Sequence, residues 1–171
     1  MSTPPHSPAL DSPQPPPLPD DLPPYEPMRT LRYGFRIGTL GLLVAPHTPS
    51  EVVEPEALYP LPNTPPWLLG LLNLRGTIVP VFHLQSAIGL EATPTLSGKT
   101  RVLVLDRDER AAGLVVDGFP RSLTLDNPSL AGGQAKGLEA FVGQAYDEVG
   151  TIWLEFDHRA FFNALRGRFT P

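Results

Sequence analysis

Short apolar runs broken by turn-forming residues follow one another along most of this chain, which limits it to folds built from many short strands. In the clearest case, two apolar runs at residues 71–74 and 77–82 are separated only by Arg75-Gly76. Runs of this length around a glycine turn are typical of two buried strands in a hairpin. Because just one convincing helix pattern is present, near the end of the chain, the sequence predicts an all-β domain.

The segment before this hairpin carries helix signals. Asn63 or Thr64 can accept a hydrogen bond from a first turn, Pro66 suits a first helical position, and Gly70 suits a helix exit. This order predicts a helix of one or two turns that ends at Gly70. Within the hairpin, Pro80 has no N–H, so its strand is expected to be an edge strand, to contain a bulge, or to place Pro80 where no ladder bond is made.

Arg75 is the one charged residue from Ala57 to Phe82. A turn between two buried strands leaves its guanidinium projecting from a rigid apolar scaffold. A guanidinium held in this way suits bidentate pairing with a carboxylate, or with carbonyl groups, of another protein. The hairpin therefore predicts a protein-interaction site at Arg75.

The other apolar segments predict further strands and a closing helix. Residues 31–37 alternate with a period of two, so the odd-numbered residues from Leu31 to Ile37 are expected on the buried face of a strand. Residues 101–106 and 111–117 are nearly continuous apolar runs, which predicts burial on both faces. A strand is predicted at residues 119–125, where it continues the sheet of residues 101–117. The closing helix is capped by Asp157, has Phe161, Phe162 and Leu165 on one face, and stops at Gly167. The remaining predicted elements are strands at residues 40–45, 51–54, 141–146 and 151–156, a helical turn at 84–90 and a loop at 126–137.

The first 28 residues differ from the rest of the chain in composition. They hold eleven of the 23 prolines and four acidic residues, but no Lys or Arg. Such a segment buries too little surface to offset its ordering entropy, which predicts an extended, mobile tail. Residues 15–19 could be a polyproline ligand for an aromatic groove in a partner, although a solvated spacer is the more common case.

The composition argues against several functional classes. The net charge is −5 and Lys and Arg form no cluster, unlike in a nucleic-acid-binding protein. The chain has no cysteine, its four histidines are scattered, and it has no G-x-S-x-G motif, so we predict no metal site, cofactor or catalytic nucleophile. The glycine-rich segment 132–137 lacks the Ser or Thr that follows a phosphate-binding loop. We therefore predict a non-enzymatic protein.

The sequence shows neither a membrane-spanning segment nor a secretory signal. No apolar run approaches the ~20 residues of a membrane helix, and the start of the chain lacks the basic and apolar regions of a secretory signal. The expected compartment is therefore the cytoplasm.

Asp106, Asp117 and Glu155 could converge on one site, although no sequence pattern favours it.

Motifs in and around the central hairpin resemble a known family. Asn63-Thr64-Pro65 with Gly70, the run 73–76 (Asn-Leu-Arg-Gly), and Val79-Pro80-Val81 are similar to the signature of CheW-type chemotaxis coupling proteins. The resemblance covers residues 30–160, and segment 59–70 is most similar to CheW-like members of pilus (twitching) systems. Further along, Gly113, Leu114, Val116 and Asp117 match the family's G-L-x-V-D pattern. The chain departs from the family at His83, where Asp is usual, and at Phe119, where a second Val is usual.

The resemblance implies a fold, a function and partners. The implied fold is two SH3-like five-stranded β-barrels that share a core, with a short C-terminal helix, in a domain spanning residues 29–168 after the proline-rich tail of residues 1–28. The implied function is a non-enzymatic adaptor that couples the cytoplasmic tip of a methyl-accepting chemotaxis-type receptor to the regulatory domain of a CheA-type histidine kinase. Its output would be chemotaxis or pilus motility. A structural module that fills a receptor array without coupling to a kinase is the alternative.

The resemblance also implies two interaction surfaces. On the receptor side, Arg75 and Glu51 are expected to orient the partner around an apolar centre. The residues alone favour a plainer role for Glu51, as a solvated charge on a strand edge. The receptor-side residues are Arg75, Glu51, Val52, Val53, Ile78 and Val79, and the kinase-side residues are Val115, Val116 and Phe119, each of which suits a core position equally well.

Overall fold

The structure, a computed structural model, describes residues 30–90, 100–125, 128–129 and 135–168. The predicted tail lies outside these ranges, as do residues 126–127 and 130–134 of the predicted loop. The described part of the chain consists mostly of β-strands. In chain order the elements are β1 (Thr30–Ile37), β2 (Leu40–Val44), β3 (Ser50–Val53), β4 (Leu68–Leu74), β5 (Thr77–Phe82), α1 (Leu84–Ala87), β6 (Arg101–Leu105), a 3₁₀ turn (Asp108–Arg110), β7 (Ala112–Val116), β8 (Arg121–Leu125), β9 (Pro128–Ser129), β10 (Val142–Glu148), β11 (Thr151–Phe156) and α2 (His158–Gly167).

The strands form two sheets. One has six strands in the order β8-β1-β2-β11-β10-β9, and the other has five in the order β3-β6-β7-β5-β4. Pairing is antiparallel except between β2 and β11 and between β5 and β7. The hairpin predicted at residues 71–82 is present as β4–β5. The strands predicted at residues 31–37 and 40–45 pair as β1–β2, and those predicted at 141–146 and 151–156 pair as β10–β11. The all-β fold is confirmed.

Each sheet curls so that an Arg–Glu pair joins strands from its two halves. In the six-stranded sheet, Arg121 of β8 lies 2.9 Å from Glu148 of β10, although β1, β2 and β11 separate these strands in the order. In the five-stranded sheet, Arg75 at the β4–β5 turn pairs with Glu51 of the opposite edge strand, β3. The expected pair of small barrels therefore takes the form of two curled sheets, and the short strand β9 is the additional, sixth strand of one of them.

A single core lies between the two sheets. Phe35 and Leu42 enter it from the six-stranded sheet, and Leu103 and Leu114 enter it from the five-stranded sheet. The other face of each sheet encloses its own smaller cluster, built around Leu72, Val79 and Val102 in the five-stranded sheet and around Leu43, Leu123 and Trp153 in the six-stranded sheet. The shared core implied by the family resemblance is present.

Helix α2 closes the common core as its apolar spacing predicts. Its cap is Asp157, whose carboxylate accepts a hydrogen bond from the N–H of Ala160 at 2.9 Å. Phe161, Phe162 and Leu165 are all buried, and the ring of Phe162 lies 5.4 Å from that of Phe82 in β5. The helix is therefore held to its own domain by aromatic contacts.

The helix predicted before Gly70 is wrong, because this segment forms turns and then enters β4 at Leu68. Gly70 lies within the strand at a φ of 143°. A Cβ there would lie 2.5 Å from the carbonyl oxygen of Tyr59, and Tyr59 bonds Leu71 through both backbone groups. The glycine therefore allows a close approach of two backbones and does not end a helix.

The strand at residues 119–125 was expected to continue the sheet of β6 and β7, and this is wrong. Gly118 has a φ of 103° and redirects the chain, so β8 pairs with β1 of the other sheet. There Leu123 and Leu125 join Leu43 and Trp153 in a buried cluster. The inner cluster of the five-stranded sheet is built from other strands, with Leu72 of β4, Val79 of β5 and Val102 of β6 at its centre.

The burial predicted for β1 holds only for its second half. Phe35 and Ile37 are buried, but Leu31 and Tyr33 are 58% and 55% exposed because this face runs past the end of the common core. Gly34, on the opposite face, is buried against Trp153.

Pro80 takes the third of its predicted alternatives. Strand β5 lies between β4 and β7, so it is not an edge, and its register shift with β4 lies elsewhere, between Leu68 and Gly70. Pairing with β7 starts one residue after Pro80, at Val81. The missing N–H therefore falls where the ladder with β7 has not yet begun.

Candidate protein-interaction site

The β4–β5 turn holds Arg75 in a defined orientation. Arg75 and Gly76 have φ values of 51° and 90°, the left-handed pair that a two-residue hairpin turn needs. Asn73 stabilises this turn, because its side-chain oxygen accepts a hydrogen bond from the N–H of Gly76 at 2.8 Å. The Arg75 side chain is 76% exposed, as the sequence predicts for a group projecting from a rigid scaffold.

The Arg75 guanidinium forms a two-point ion pair with Glu51. Nη1 donates to Oε2 at 2.9 Å and Nη2 donates to Oε1 at 2.6 Å, and this pairing raises the pKa of Arg75. An exposed pair of this kind adds little to stability. Its geometric effect is larger, since it orients both charged groups at the rim where the edge strands of the five-stranded sheet meet.

A small pocket of about 280 Å³ opens beside this ion pair. Its walls are the start of β3, the β4–β5 turn, and the loop of residues 106–111 that follows β6. Leu74, Val79, Val104 and Ala111 contribute to the apolar part of the lining. The rim therefore combines a fixed charge pair with a recess large enough for a partner's side chain.

The structure separates the receptor-side candidates into surface and core. Arg75 and Glu51 come together as described, and Ile78 is 56% exposed. Val52 and Val53 are half-buried and pack against the common core and the inner cluster of the five-stranded sheet. Val79 is completely buried, which corrects its expected place in an exposed apolar centre. The alternation of β5 turns Val79 inward where Ile78 turns outward.

The kinase-side candidates separate in the same way. Val116 is buried in the common core and Val115 is half-buried in the inner cluster of the five-stranded sheet, so both are better explained by packing. Phe119 is 67% exposed. The guanidinium of Arg101 lies 4.5 Å from the centre of its ring, which fixes the ring as a cation–π pair. Phe119 alone of these three offers a large apolar contact surface.

A buried charge cluster behind the pocket was missed by sequence reasoning. Asp106 accepts two hydrogen bonds from Arg159, at 2.6 and 2.9 Å, and lies 3.1 Å from Nε2 of His158. The Arg159 guanidinium is the main cause of the lowered pKa of Asp106, about 2. The local signal was slight: a charged residue directly after the apolar run of β6, and two basic residues opening α2.

The three carboxylates that could have converged do not. Asp106 belongs to the cluster above, Asp117 accepts a hydrogen bond from the N–H of Gly38, and Glu155 pairs with Arg32 at 2.9 Å. In the described ranges, no group of three or more His, Asp or Glu side chains is placed to hold a metal ion. None of the helices found there is long and apolar enough to span a bilayer.

His83, at the position where the resembled family usually has Asp, has a structural role. It is the N-cap of α1, and its Nδ1 accepts a hydrogen bond from the N–H of Ser86 at 3.3 Å. Burial lowers the pKa of His83 despite the opposing field of Asp117, which keeps the ring nitrogen available as an acceptor. Asp is among the preferred N-cap residues, so both residues suit this position as caps.

The chain is similar to known proteins over most of its length. The family model for the CheW-like domain matches residues 35–166. The chain belongs to the CheW-like family. The solved scaffolding protein TtCheW of Thermoanaerobacter tengcongensis superposes with a TM-score of 0.61 over 75% of this chain and 89% of that one, at 22% identity. At that identity the likeness concerns the fold, and it agrees with the two-sheet architecture of this CheW-like chain.

Relatives of this CheW-like chain include proteins of several bacteria. Chemotaxis protein CheW of Helicobacter pylori is 30% identical over 92 residues, which are 54% of this chain and 55% of that protein. Protein PilI of Pseudomonas aeruginosa is 33% identical over 84 residues, or 49% and 47%. Protein FrzA of Myxococcus xanthus is 32% identical over 83 residues, or 48% and 51%. The chain therefore spans about half the length of the curated relatives that it matches.

Proposed function

We propose that this CheW-like chain is a cytoplasmic, non-enzymatic adaptor that couples the tip of a chemoreceptor to the regulatory domain of a CheA-type histidine kinase, in chemotaxis or pilus-motility signalling. The domain that does this spans residues 29–168. The proposal is supported by family membership together with one observation, the oriented and exposed Arg75–Glu51 pair at the rim of a rigid curled sheet.

The receptor is expected to bind at the rim. Arg75 presents a planar guanidinium with five N–H donors, two of which engage Glu51. The remaining capacity suits carbonyl or carboxylate groups on the receptor, while Ile78 and the pocket beside Arg75 supply apolar contact. Signal then passes through contact and geometry, without covalent chemistry.

The kinase is expected to bind at Phe119. Phe119 lies in the β7–β8 connection, and its ring is held by the guanidinium of Arg101. Arg101 in turn pairs with Glu54 at 2.9 Å. An exposed aromatic side chain fixed in this way resembles the anchors that dominate protein interfaces.

Substitution of Arg75 tests the receptor side. We expect Arg75→Ala to weaken binding of a purified receptor tip about tenfold, as loss of an interfacial Arg anchor does, and to leave thermal unfolding unchanged because an exposed pair adds little to stability. Isothermal titration calorimetry measures the first effect and circular dichroism the second. Arg36 is also an exposed arginine, on β1, so Arg36→Ala is the matched control and should bind the receptor tip normally. Normal receptor binding by Arg75→Ala would refute the proposal.

The same titrations separate the adaptor from a structural array module. An adaptor binds both the receptor tip and the kinase regulatory domain, and Phe119→Ala should weaken only the second interaction. A chain that binds the receptor tip but shows no affinity for the kinase domain would be an array-filling module.

A further inference from the structure

The loop of residues 106–111 forms one wall of the pocket beside Arg75, and its backbone is unusual. Asp106 and Asp108 have φ values of 62° and 55°, a left-handed conformation that is uncommon outside glycine and that Asp tolerates better than most residues. Support from another part of the molecule therefore helps to fix the shape of the loop.

Helix α2 supplies this support at two points. At its N-terminal end, Arg159 and His158 hold the carboxylate of Asp106. Two turns later, Arg166 donates a hydrogen bond to the carbonyl oxygen of Glu109 at 3.1 Å. The two contacts therefore hold the start and the middle of the loop from the same helix.

The loop is in turn tied to the strand that carries Glu51. The N–H of Asp106 donates to the carbonyl oxygen of Pro49 at 2.9 Å, and Leu105 pairs with Ser50. Glu51 follows directly and holds Arg75. A continuous series of contacts thus runs from α2 through the loop to the charge pair at the rim.

We propose that α2 sets the shape of the pocket from behind, with Arg159, Arg166 and Asp106 as positioning residues for binding at the rim. Neither Arg159 nor Arg166 contacts the Arg75–Glu51 pair itself; they bond to Asp106 and to the carbonyl oxygen of Glu109. The effect on binding rests on the proposed function, whereas the effect on loop order does not.

The loop offers amide hydrogens that report on its order directly. The N–H groups of Asp106, Arg110 and Ala111 bond to Pro49, Arg107 and Asp108, so their hydrogen exchange follows opening of the loop. We expect Arg166→Ala to speed exchange at Arg110 and Ala111 about tenfold, and Arg159→Ala to do the same at Asp106, with both variants losing several-fold in affinity for the receptor tip.

The chain contains its own control for these variants. Arg168 also donates to a backbone carbonyl, that of Ala87 at 2.9 Å, but on α1 and away from the pocket. Arg168→Ala should leave loop exchange and receptor affinity unchanged. Arg166→Lys keeps a donor for Glu109 and should restore both properties, which a merely destabilised helix would not do.

Two results would overturn the inference. One is normal exchange at Asp106, Arg110 and Ala111 in the alanine variants. The other is faster exchange without loss of receptor affinity, in a background where Arg75→Ala does weaken binding. If Arg75→Ala binds normally, the proposed function fails, and the exchange measurements alone then decide whether α2 orders the loop.

Discussion

Asp106 carries its negative charge inside the protein because α2 surrounds it with donors. Its carboxylate is almost fully buried, yet Arg159 and His158 bond both of its oxygens. Removing a charge from water is unfavourable unless partners replace the lost hydration. The lowered pKa of Asp106, about 2, indicates that the partners outweigh the effect of burial.

This lowered pKa predicts how stability depends on pH. The folded pKa of about 2 lies below the ordinary value of 3.8, so the ionised group stabilises the fold fully above about pH 4 and loses that effect as the pH falls towards 2. The contribution is on the order of 2 kcal/mol. Urea denaturation measures the free energy of unfolding of the native chain and of Asp106→Asn between pH 7 and pH 2. The difference between the two proteins should be largest at neutral pH. A difference that stays constant down to pH 2 would contradict this.

Strand β1 contains a position, Gly34, where the packing leaves no space for a side chain. Gly34 packs directly on Trp153, and a Cβ would lie 2.5 Å from that ring and 2.7 Å from Leu123. The six-stranded sheet encloses Trp153 completely. The inner cluster of this sheet therefore has no room for even a methyl group at this position.

We expect Gly34→Ala to lower the free energy of unfolding by about 1–3 kcal/mol, because an overpacked core forces strained rotamers or backbone shifts. Urea denaturation monitored by Trp fluorescence measures this. Gly167→Ala, in the last turn of α2, meets no atom within 4 Å and should unfold at the same or a slightly higher urea concentration. Equal stability of the two variants would show that the sheet accommodates the methyl group.

For the whole molecule, the described elements pack around one common core. Phe35, Phe82, Leu103 and Phe161 all meet there from different elements. The two Arg–Glu pairs, Arg75–Glu51 and Arg121–Glu148, join the ends of the two sheets.

Deleting residues 1–28 is predicted to leave the melting temperature within about 2 °C of the full-length value, because a proline-rich, polar segment lacks the apolar surface to stabilise a core. Differential scanning calorimetry of the two chains tests this. A deletion through residue 36 is the comparison, since it removes most of β1, which pairs with both β2 and β8, and should abolish cooperative unfolding. A fall of many degrees on removing residues 1–28 alone would mean that this segment packs on the domain.

The parts of this protein that could be predicted from sequence alone are those whose causes are local. The β4–β5 and β10–β11 hairpins follow from apolar runs beside turn residues, and α2 follows from Asp157 and its apolar spacing. The projection of Arg75 follows from the same hairpin. Each of these depends on residues within one turn or one helix, so no distant contact is needed to specify it.

Only the tertiary structure decided which strands meet and which charges pair. Strand β8 joins the opposite sheet because Leu123 and Leu125 find space beside Trp153. Val79 is buried because it lies on the face of β5 that packs into the inner cluster of the five-stranded sheet. Asp106 and Arg159 are 53 positions apart, so their pairing depends on how the two sheets and α2 pack. Such contacts arise from shape and space in the folded core, which a local pattern does not encode.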